Sequence, residues 1–309
     1  MSPFHGEDRG SIPLETTHTK QKYKMNLISE IEKHQKLFEL KETKTSESFK
    51  KMLFTLNNED TKNVHLEFSS HIDASKAVHS SRFSLVANKT NTHLIESMIN
   101  FVGAQTSKEE KNLLFQEVER WRQGALCLAG FDEREDHVRY KIYVSTEKDD
   151  QFKEYIKINF PKPYPLLTFF SSTGRGYDFH VDKKTGQTKT TSKFYFTSPN
   201  IVITKSHRRR FRKCFSMQTI GLIEQSVISF GSFRSDSDKL NIQIAPKNMS
   251  EFLDNDIFSA TQIKELREKY NSIDRDLWSI SFLDDEVKRG ALNYINTYCT
   301  VQVDSNLED

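Results

Sequence analysis

A cation followed two positions later by a tyrosine occurs on two segments whose pattern predicts β-strands. Alternate residues of a strand lie on the same face, so each such pair directs its charge and its ring to the same side. These faces, with one further cation on an earlier strand, carry Arg82, Arg139, Lys141, Tyr143, Lys193 and Tyr195. If the faces line an enclosed space, the cations would bind phosphate oxygens and the rings would stabilise a carbocation. Ordinary strands with a solvated polar face explain the pattern equally well.

Glu67 is a candidate general base. It alternates with Leu66 and Phe68, so it faces away from the side on which those two apolar residues pack. In an enclosed space, a carboxylate with a raised pKa could accept a proton from an attacking nucleophile. A solvated surface glutamate is the alternative interpretation.

The composition argues against several classes of function. The 309 residues include 45 Lys and Arg against 43 Asp and Glu, and the net charge of +2 does not suggest a dedicated polyanion-binding protein. No segment reaches the roughly 18 consecutive apolar residues of a membrane-spanning helix, and the polar N-terminus is unlike a secretory signal. Cys127, Cys214 and Cys299 are too widely spaced for a disulfide framework or a CxxC metal site. We therefore expect a cytoplasmic protein that binds neither membrane nor nucleic acid.

The apolar pattern predicts about five units in which helices precede a β-hairpin. Helices are expected over 27–38, 46–56 with Ser46 as the N-cap, 94–101, 107–121, 151–158, from about 207, and over 260–270. Strands are expected over 65–72, 81–86, 125–131, 138–144, 166–170, 177–181, 192–196, 226–233, 240–244, 277–283 and 291–303, with a turn at 284–286. Residues 1–24 are expected to form a disordered extension, 25–303 the folded domain, and 304–309 a tail.

A repeat of about 50 to 60 residues with these elements favours an α/β barrel. About ten antiparallel strands in a ring would leave no exposed edge, and amphipathic helices would cover the outside. A barrel of this size keeps a solvent-filled lumen that can enclose an organic ligand. A two-domain α+β protein with open sheets is the alternative.

The chain resembles the cyanobactin prenyltransferases, members of the ABBA class of prenyltransferase barrels, over about residues 26–300. The resemblance is carried by HQKLFE (34–39), LEFS (66–69), SRF (81–83), AGFD (129–132), KIY (141–143), GYDF (176–179), KFY (193–195), FGSF (230–233) and Asn293. Their order and spacing follow the units predicted above, so the resemblance also implies an ABBA barrel.

The resemblance implies a monomeric enzyme that transfers a dimethylallyl or geranyl group from its diphosphate to a side chain or terminus of a ribosomally made, often macrocyclic, peptide. Carried over by position, the diphosphate ligands would be Arg82, Arg139, Lys141 and Lys193, the cation shield Tyr143, Tyr195 and Tyr298, and the base Glu67. Mg²⁺ would arrive with the diphosphate, because the sequence has no DDxxD cluster to supply protein ligands.

The fourth and fifth units depart from the family pattern. Asn241 and Gln243 stand where the family tends to carry tyrosines, and amides can hydrogen-bond but shield a cation poorly. In the last strand, the family pattern leads one to expect a basic residue and a tyrosine. A direct alignment places Ile295 and Thr297 at these two positions, whereas a shift of one residue places Asn296 and Tyr298 there. Asn241, Gln243 and Asn296 are expected to contact the diphosphate or the pocket.

The sequence allows two further interpretations of function. A barrel of the same fold that binds peptide or diphosphate without catalysing transfer is the alternative function. The basic run SHRRRFRK, residues 206–213, could contact nucleic acid. The acidic remainder of the chain and the lack of an RNA-binding signature favour a solvated helix start instead. The histidines show no HExxH spacing, so no metal site is expected.

Overall fold

A computed structural model of the protein shows an antiparallel β-sheet that closes into a barrel. It describes residues 17–56, 64–75, 77–78, 81–88, 92–104, 106–121, 126–146, 150–161, 164, 172–199, 205–237, 239–272 and 277–302. The strands are β1 (His65–Asp73), β2 (Ala77–Val78), β3 (Ser81–Asn88), β4 (Leu126–Glu133), β5 (His137–Thr146), β6 (Ser172–Asp182), β7 (Thr188–Pro199), β8 (Ser226–Arg234), β9 (Asn241–Pro246), β10 (Leu277–Leu283) and β11 (Tyr294–Gln302).

Closure joins the first long strand to the last. Each strand from β3 to β11 pairs with its sequence neighbour, β3 pairs with β1, and β1 pairs antiparallel with β11 from His65–Gln302 to Asp73–Tyr294. Ten strands therefore form the ring, and β2 pairs with β1 outside it. A closed ring leaves no strand edge available for pairing with another chain. The predicted barrel is confirmed, and the open-sheet alternative is wrong.

Helices precede the hairpins, as the sequence pattern indicates. Within the described ranges they are α1 (Thr17–Leu37), α2 (Lys44–Thr55), α3 (Thr92–Gly103), α4 (Lys108–Trp121), α5 (Asp150–Asn159), α6 (Lys205–Phe211), α7 (Met217–Glu224), α8 (Met249–Leu253), α9 (Ala260–Ser272) and α10 (Asp284–Lys288). The expected capping box of α4 is present, because Glu110 N–H donates to Ser107 Oγ and Ser107 N–H donates to the Glu110 carboxylate. None of these helices has the length and apolar character needed to span a bilayer.

Several predicted boundaries need correction. Helix α1 begins at Thr17, before Met25, because residues 17–24 contain no glycine or proline and include good helix formers. Helix α2 is capped by Thr43 rather than Ser46. Thr43 Oγ1 accepts the Ser46 N–H at 3.1 Å, and Ser46 Oγ accepts the Thr43 N–H at 2.9 Å.

Other differences concern short elements. The expected turn at 284–286 is the first part of α10, and α7 and α8 were not predicted because such short helices show little apolar periodicity. The strand expected over 166–170 lies outside the described residues. So do residues 1–16 of the expected extension and the tail at 304–309.

The outer face of the barrel holds the aromatic core. Eight phenylalanines of the described strands are buried on this face: Phe68, Phe83, Phe131, Phe179, Phe194, Phe196, Phe233 and Phe282. From α2, Phe49 packs edge to face on Phe131, with ring centroids 5.5 Å apart. Each fully buried phenylalanine side chain stabilises the fold by roughly 1.5–3 kcal/mol. Because this face takes the large apolar side chains, the polar side chains between them turn into the barrel.

Candidate functional site in the barrel lumen

The strand register places every predicted site residue on the inner face. Residues that lie directly opposite each other in antiparallel strands share a face, so the face can be followed from strand to strand. The pairs that connect it are Glu67–Ser84, Arg82–Asp132, Asp132–Arg139, Lys141–Asp178, Tyr143–Gly176, Gly176–Lys193, Lys193–Arg234, Tyr195–Ser232, Ser232–Asn241, Gln243–Ser281, Ser281–Asn296 and Tyr298–Ser69. In β11, Asn296 and Tyr298 are the inward residues, as the shifted alignment required.

A cavity of about 520 Å³ opens at the end of the barrel that carries the β4–β5 and β8–β9 turns, which we call the hairpin end, and Glu286 of α10 is the carboxylate in its lining. Its lining includes the inward cations Arg82, Arg139, Lys193 and Arg234, with Asn241, Asn296 and Tyr298 on the opposite strands. Arg134 and Lys239 from the hairpins lie at the same end and add two further cations. The cavity is therefore suited to an anionic group. Through Gly176, Tyr143 lies at the level of Lys193, and Tyr195 lies one level further along β7, away from the hairpins.

Two buried aspartates lie between the arginines Arg82, Arg139 and Arg234, so negative and positive charges alternate along the lumen wall. We call these three arginines the guanidinium belt. Asp132 accepts a hydrogen bond from Arg139 Nη2 at 2.6 Å, and its Oδ2 lies 3.5 Å from Arg82 Nε. Asp178 Oδ2 lies 3.9 Å from Arg139 Nη1 and 3.6 Å from Arg234 Nη1. Burial would raise the pKa of Asp132, but the charges of Arg82 and Arg139 hold that pKa well below its usual range. Both carboxylates are therefore ionised and hold the guanidiniums in place.

Lys141 and Lys193 differ from these arginines in their charge partners. Neither amine has a carboxylate within 4.0 Å in the described part of the chain. Burial, together with the charges of Arg82 and Arg139, lowers the pKa of Lys141 to about 8, although Glu67 acts in the opposite direction. Burial lowers the pKa of Lys193 to about 7; Asp178 opposes this, and neighbouring cations add to it. An incoming anion would stabilise the charged form of both amines.

The aromatic layer adjoins Lys193. The rings of Tyr143 and Tyr195 meet edge to face with centroids 4.8 Å apart. Lys193 Nζ lies 4.6 Å from the Tyr195 centroid and 5.9 Å from that of Tyr143. Burial and the charge of Asp178 raise the pKa of Tyr143 well above its usual value, so its hydroxyl stays protonated and donates to Asp178. A cation thus lies beside two electron-rich ring faces, an arrangement that also suits a carbocation.

On the opposite wall, amides and hydroxyls replace tyrosines. Arg82 Nη1 donates to Asn296 Oδ1 at 2.7 Å, and the guanidinium lies 5.7 Å from the Tyr298 centroid. Asn241 and Gln243 face inward but bond to neighbouring serines: Gln243 Nε2 donates to Ser279 Oγ at 2.8 Å, and Asn241 Nδ2 lies 3.5 Å from Ser232 Oγ. This wall presents mainly hydrogen-bonding groups, and Tyr298 supplies a ring face beside Arg82.

Glu67 lies on the inner face of β1, opposite Ser84 of β3 and Thr300 of β11. It is partly exposed, and its negative charge raises the pKa of Lys141, so the two groups interact electrostatically. Glu67, Lys141, Tyr143, Tyr195 and Gln243 are not among the residues that line the cavity at the hairpin end. They continue the inner face deeper into the barrel.

Sequence analysis missed Asp132 and Asp178, although both lie in segments that carry the family resemblance. Aspartate is unfavourable within strands, and here each stands at an inward position beside buried aromatic residues. That combination is the signal that could have identified them. Their partners could not be read from sequence, because Arg82, Arg139 and Arg234 come from three other strands.

The remaining sequence features lie outside the lumen. In the basic run, Arg208 to Arg210 and Arg212 are exposed on α6 and the turn that follows it, and Arg208 pairs with Glu224 at 2.6 Å. Within the described ranges, no group of three or more His, Cys, Asp or Glu side chains could hold a metal ion.

No protein-family model and no curated protein sequence matches this chain. The resemblance to the ABBA prenyltransferases therefore rests on the segments quoted above.

Proposed function

We propose that the protein is a prenyltransferase that moves a dimethylallyl or geranyl group from its diphosphate to a ribosomally made peptide. The observation that carries this proposal is the position of Lys193, whose amine lies 4.6 Å from the Tyr195 ring centroid and also lines the cationic cavity. An allylic diphosphate needs both environments at adjacent positions. Its leaving group is a polyanion, and its reacting carbon becomes a cation.

In the proposed reaction, the diphosphate lies at the hairpin end against the guanidinium belt and Lys193, and its charge acts on Lys141, which continues the same inner face deeper into the barrel. The bond between the allylic carbon and the bridging oxygen breaks, and the diphosphate keeps the electron pair. Protonated Lys193 and Lys141 stabilise the charge that develops on those oxygens. The allylic cation lies next to the rings of Tyr143 and Tyr195. The acceptor then donates an electron pair to carbon, and Glu67 takes the acceptor's proton.

Mg²⁺ is the expected accompanying ion. The lumen offers few carboxylate oxygens for it, since Asp132 and Asp178 already contact guanidiniums. The residues present therefore fit an ion that is held mainly by diphosphate oxygens rather than by a dedicated protein site. Bound in that way, the ion would neutralise charge on the leaving group.

The test is mass spectrometry after incubation with Mg²⁺, dimethylallyl or geranyl diphosphate, and linear and cyclic peptides that offer Tyr, Trp, Ser, Thr, His, Arg and free termini. We expect a mass gain of one or two isoprene units on at least one peptide. Lys193→Ala should lose the product, whereas Lys184→Ala on the exposed β6–β7 turn should keep it. No product with any donor and acceptor would overturn the assignment as a transferase of this class.

A binding barrel without transfer activity is the second candidate. It is favoured by the wall that carries Asn241 and Gln243 in place of tyrosines and Asn296 in place of a basic residue, and by the pairing of Arg82 and Arg139 with Asp132. Calorimetry separates the two candidates. Diphosphate affinity that depends on Lys193, without product from any peptide, would support binding alone.

A further inference from the structure

Asp178 is a lumen residue to which the proposed function gives no role. It lies on the inner face of β6 between Lys141 of β5 and Thr191 of β7, and its side chain is fully buried. Its inward neighbours along β6 are Gly176 and His180. An ionised carboxylate at this depth is costly unless several groups compensate it.

The compensating groups come from three strands. The Tyr143 hydroxyl of β5 donates to Asp178 Oδ1. Arg139 of β5 and Arg234 of β8 approach Oδ2 to 3.9 Å and 3.6 Å. Lys193 of β7 acts on the carboxylate through its charge. Asp178 therefore links both functional layers of the lumen, the cations and the tyrosines.

We propose that Asp178 is the positioning residue of the lumen, which fixes the Tyr143 hydroxyl in one orientation and controls the charge on Lys193. Asp178 acts through these two side chains and not on a reacting atom. The proposal gains its functional meaning from the proposed prenyl transfer, but its first test needs no substrate.

The contact with Tyr143 has a chemical consequence. A phenol that donates to a carboxylate has a more electron-rich ring, which strengthens attraction for a cation above that ring. The same hydrogen bond directs the hydroxyl toward Asp178. The phenol oxygen is then held in place and is a poor competitor to the acceptor for the allylic carbon.

Lys193 lies diagonally across the β6–β7 register from Asp178, because Asp178 is opposite Thr191 and its neighbour Gly176 is opposite Lys193. The effect on Lys193 follows from this position and from the charges around it. Burial lowers the pKa of Lys193, Asp178 raises it, and Arg139, Lys141 and Arg234 lower it. The rings of Tyr143 and Tyr195 also face the amine. Among the groups that most strongly affect the pKa of Lys193, Asp178 is the carboxylate, and it favours the charged amine. Without its negative charge, Lys193 would lose its proton at a lower pH.

The experiment is an NMR titration of lysine side chains labelled with ¹³C at the ε-carbon, with the Lys193 signal assigned by its loss in Lys193→Arg. Asp178→Asn should shift the Lys193 midpoint to lower pH. The matched control is Asp182→Asn on the same strand, because the Asp182 carboxylate accepts hydrogen bonds only from Lys184 and Thr185 of the β6–β7 turn among the described residues. The control should leave the midpoint unchanged. An unchanged midpoint in Asp178→Asn would overturn the proposal.

A second measurement tests the proposal even if the Asp178→Asn variant does not fold. The wild-type chain should show a slowly exchanging hydroxyl proton that disappears in Tyr143→Phe. The lack of such a resonance in folded wild-type protein would overturn the fixed orientation of Tyr143. Calorimetry with inorganic diphosphate then tests the proposed function separately. A titration shift without diphosphate binding would retain the role of Asp178 and reject prenyl transfer.

Discussion

The ring of Tyr143 lies directly against Gly176 on the neighbouring strand. A Cβ added at Gly176 would lie 1.5 Å from Tyr143 Cδ1 and 2.1 Å from Cε1, distances at which the ring must move. Gly176 is also the residue opposite Lys193, so the absence of its side chain provides space for the cation and the ring at one level of the lumen. This relationship makes Gly176 part of the site although it carries no functional group.

Gly176→Ala should displace Tyr143 and destabilise the fold by about 1–3 kcal/mol, because extra volume in a packed interior forces side chains from their positions. Prenyl transfer should fall more than diphosphate binding, since the ring and not the anion site is disturbed. Gly221→Ala on α7 is the matched control, because a Cβ there meets nothing within 4 Å. Denaturant unfolding and product yield measure the two effects. Full activity in Gly176→Ala would show that the position of the Tyr143 ring does not matter.

Lys141→Ala and Lys193→Ala should each lower transfer by about a hundredfold or more while the chain stays folded, because each removes a preorganised cation from the leaving group. Circular dichroism checks the fold and mass spectrometry the product. The exposed Lys184→Ala serves as the control for the loss of a lysine. Near-normal rates in both lumen variants would eliminate these amines as diphosphate ligands.

Diphosphate binding should take up protons near neutral pH. The pKa of free Lys193 is about 7 and that of Lys141 about 8, and a bound anion raises both. Affinity should therefore weaken as pH rises above about 7. Calorimetry in buffers with different ionisation enthalpies counts the protons. In Lys193→Met the uptake should decrease, and equal uptake in wild type and variant would contradict the assignment.

The same lysines make stability depend on pH. Their folded pKa values lie below the ordinary value of 10.5, so the unfolded chain binds more protons between about pH 7 and 10. Their contribution to the free energy of unfolding therefore rises with pH across this window. Lys193→Met should gain stability relative to wild type mainly at the acidic end. Urea unfolding at about pH 6, 7.5 and 9 measures it, and a constant difference at all three values would exclude a titrating Lys193.

Glu67→Gln should slow transfer to acceptors that must lose a proton, and it should leave diphosphate affinity close to that of wild type. The amide keeps the size of the side chain but cannot accept the proton. The comparison is kcat against KM for the donor in single-acceptor assays. If kcat does not change, another group removes the proton.

Some features of this architecture can be predicted from single strands and helices. The alternation of Phe194 with Lys193 and Tyr195 shows that β7 has an apolar and a functional face, and it needs no knowledge of neighbouring strands. The order of helices and hairpins likewise predicts the barrel. Exact helix ends are harder to predict. Thr43 caps α2 in place of Ser46, because several neighbouring hydroxyl residues are equally suitable as an N-cap.

Local patterns in the chain thus determined the fold class, the phenylalanine core and the candidate cations and tyrosines, because periodicity of two and hydrophobic burial act over a few residues. Closure of β1 on β11, the inward direction of Asn296 and Tyr298, and the contacts of Asp178 with Arg139, Arg234 and Tyr143 emerged only in three dimensions. These features join residues distant in sequence. Their pairing depends on register around the whole ring, and a shift of one residue in any strand would exchange its two faces.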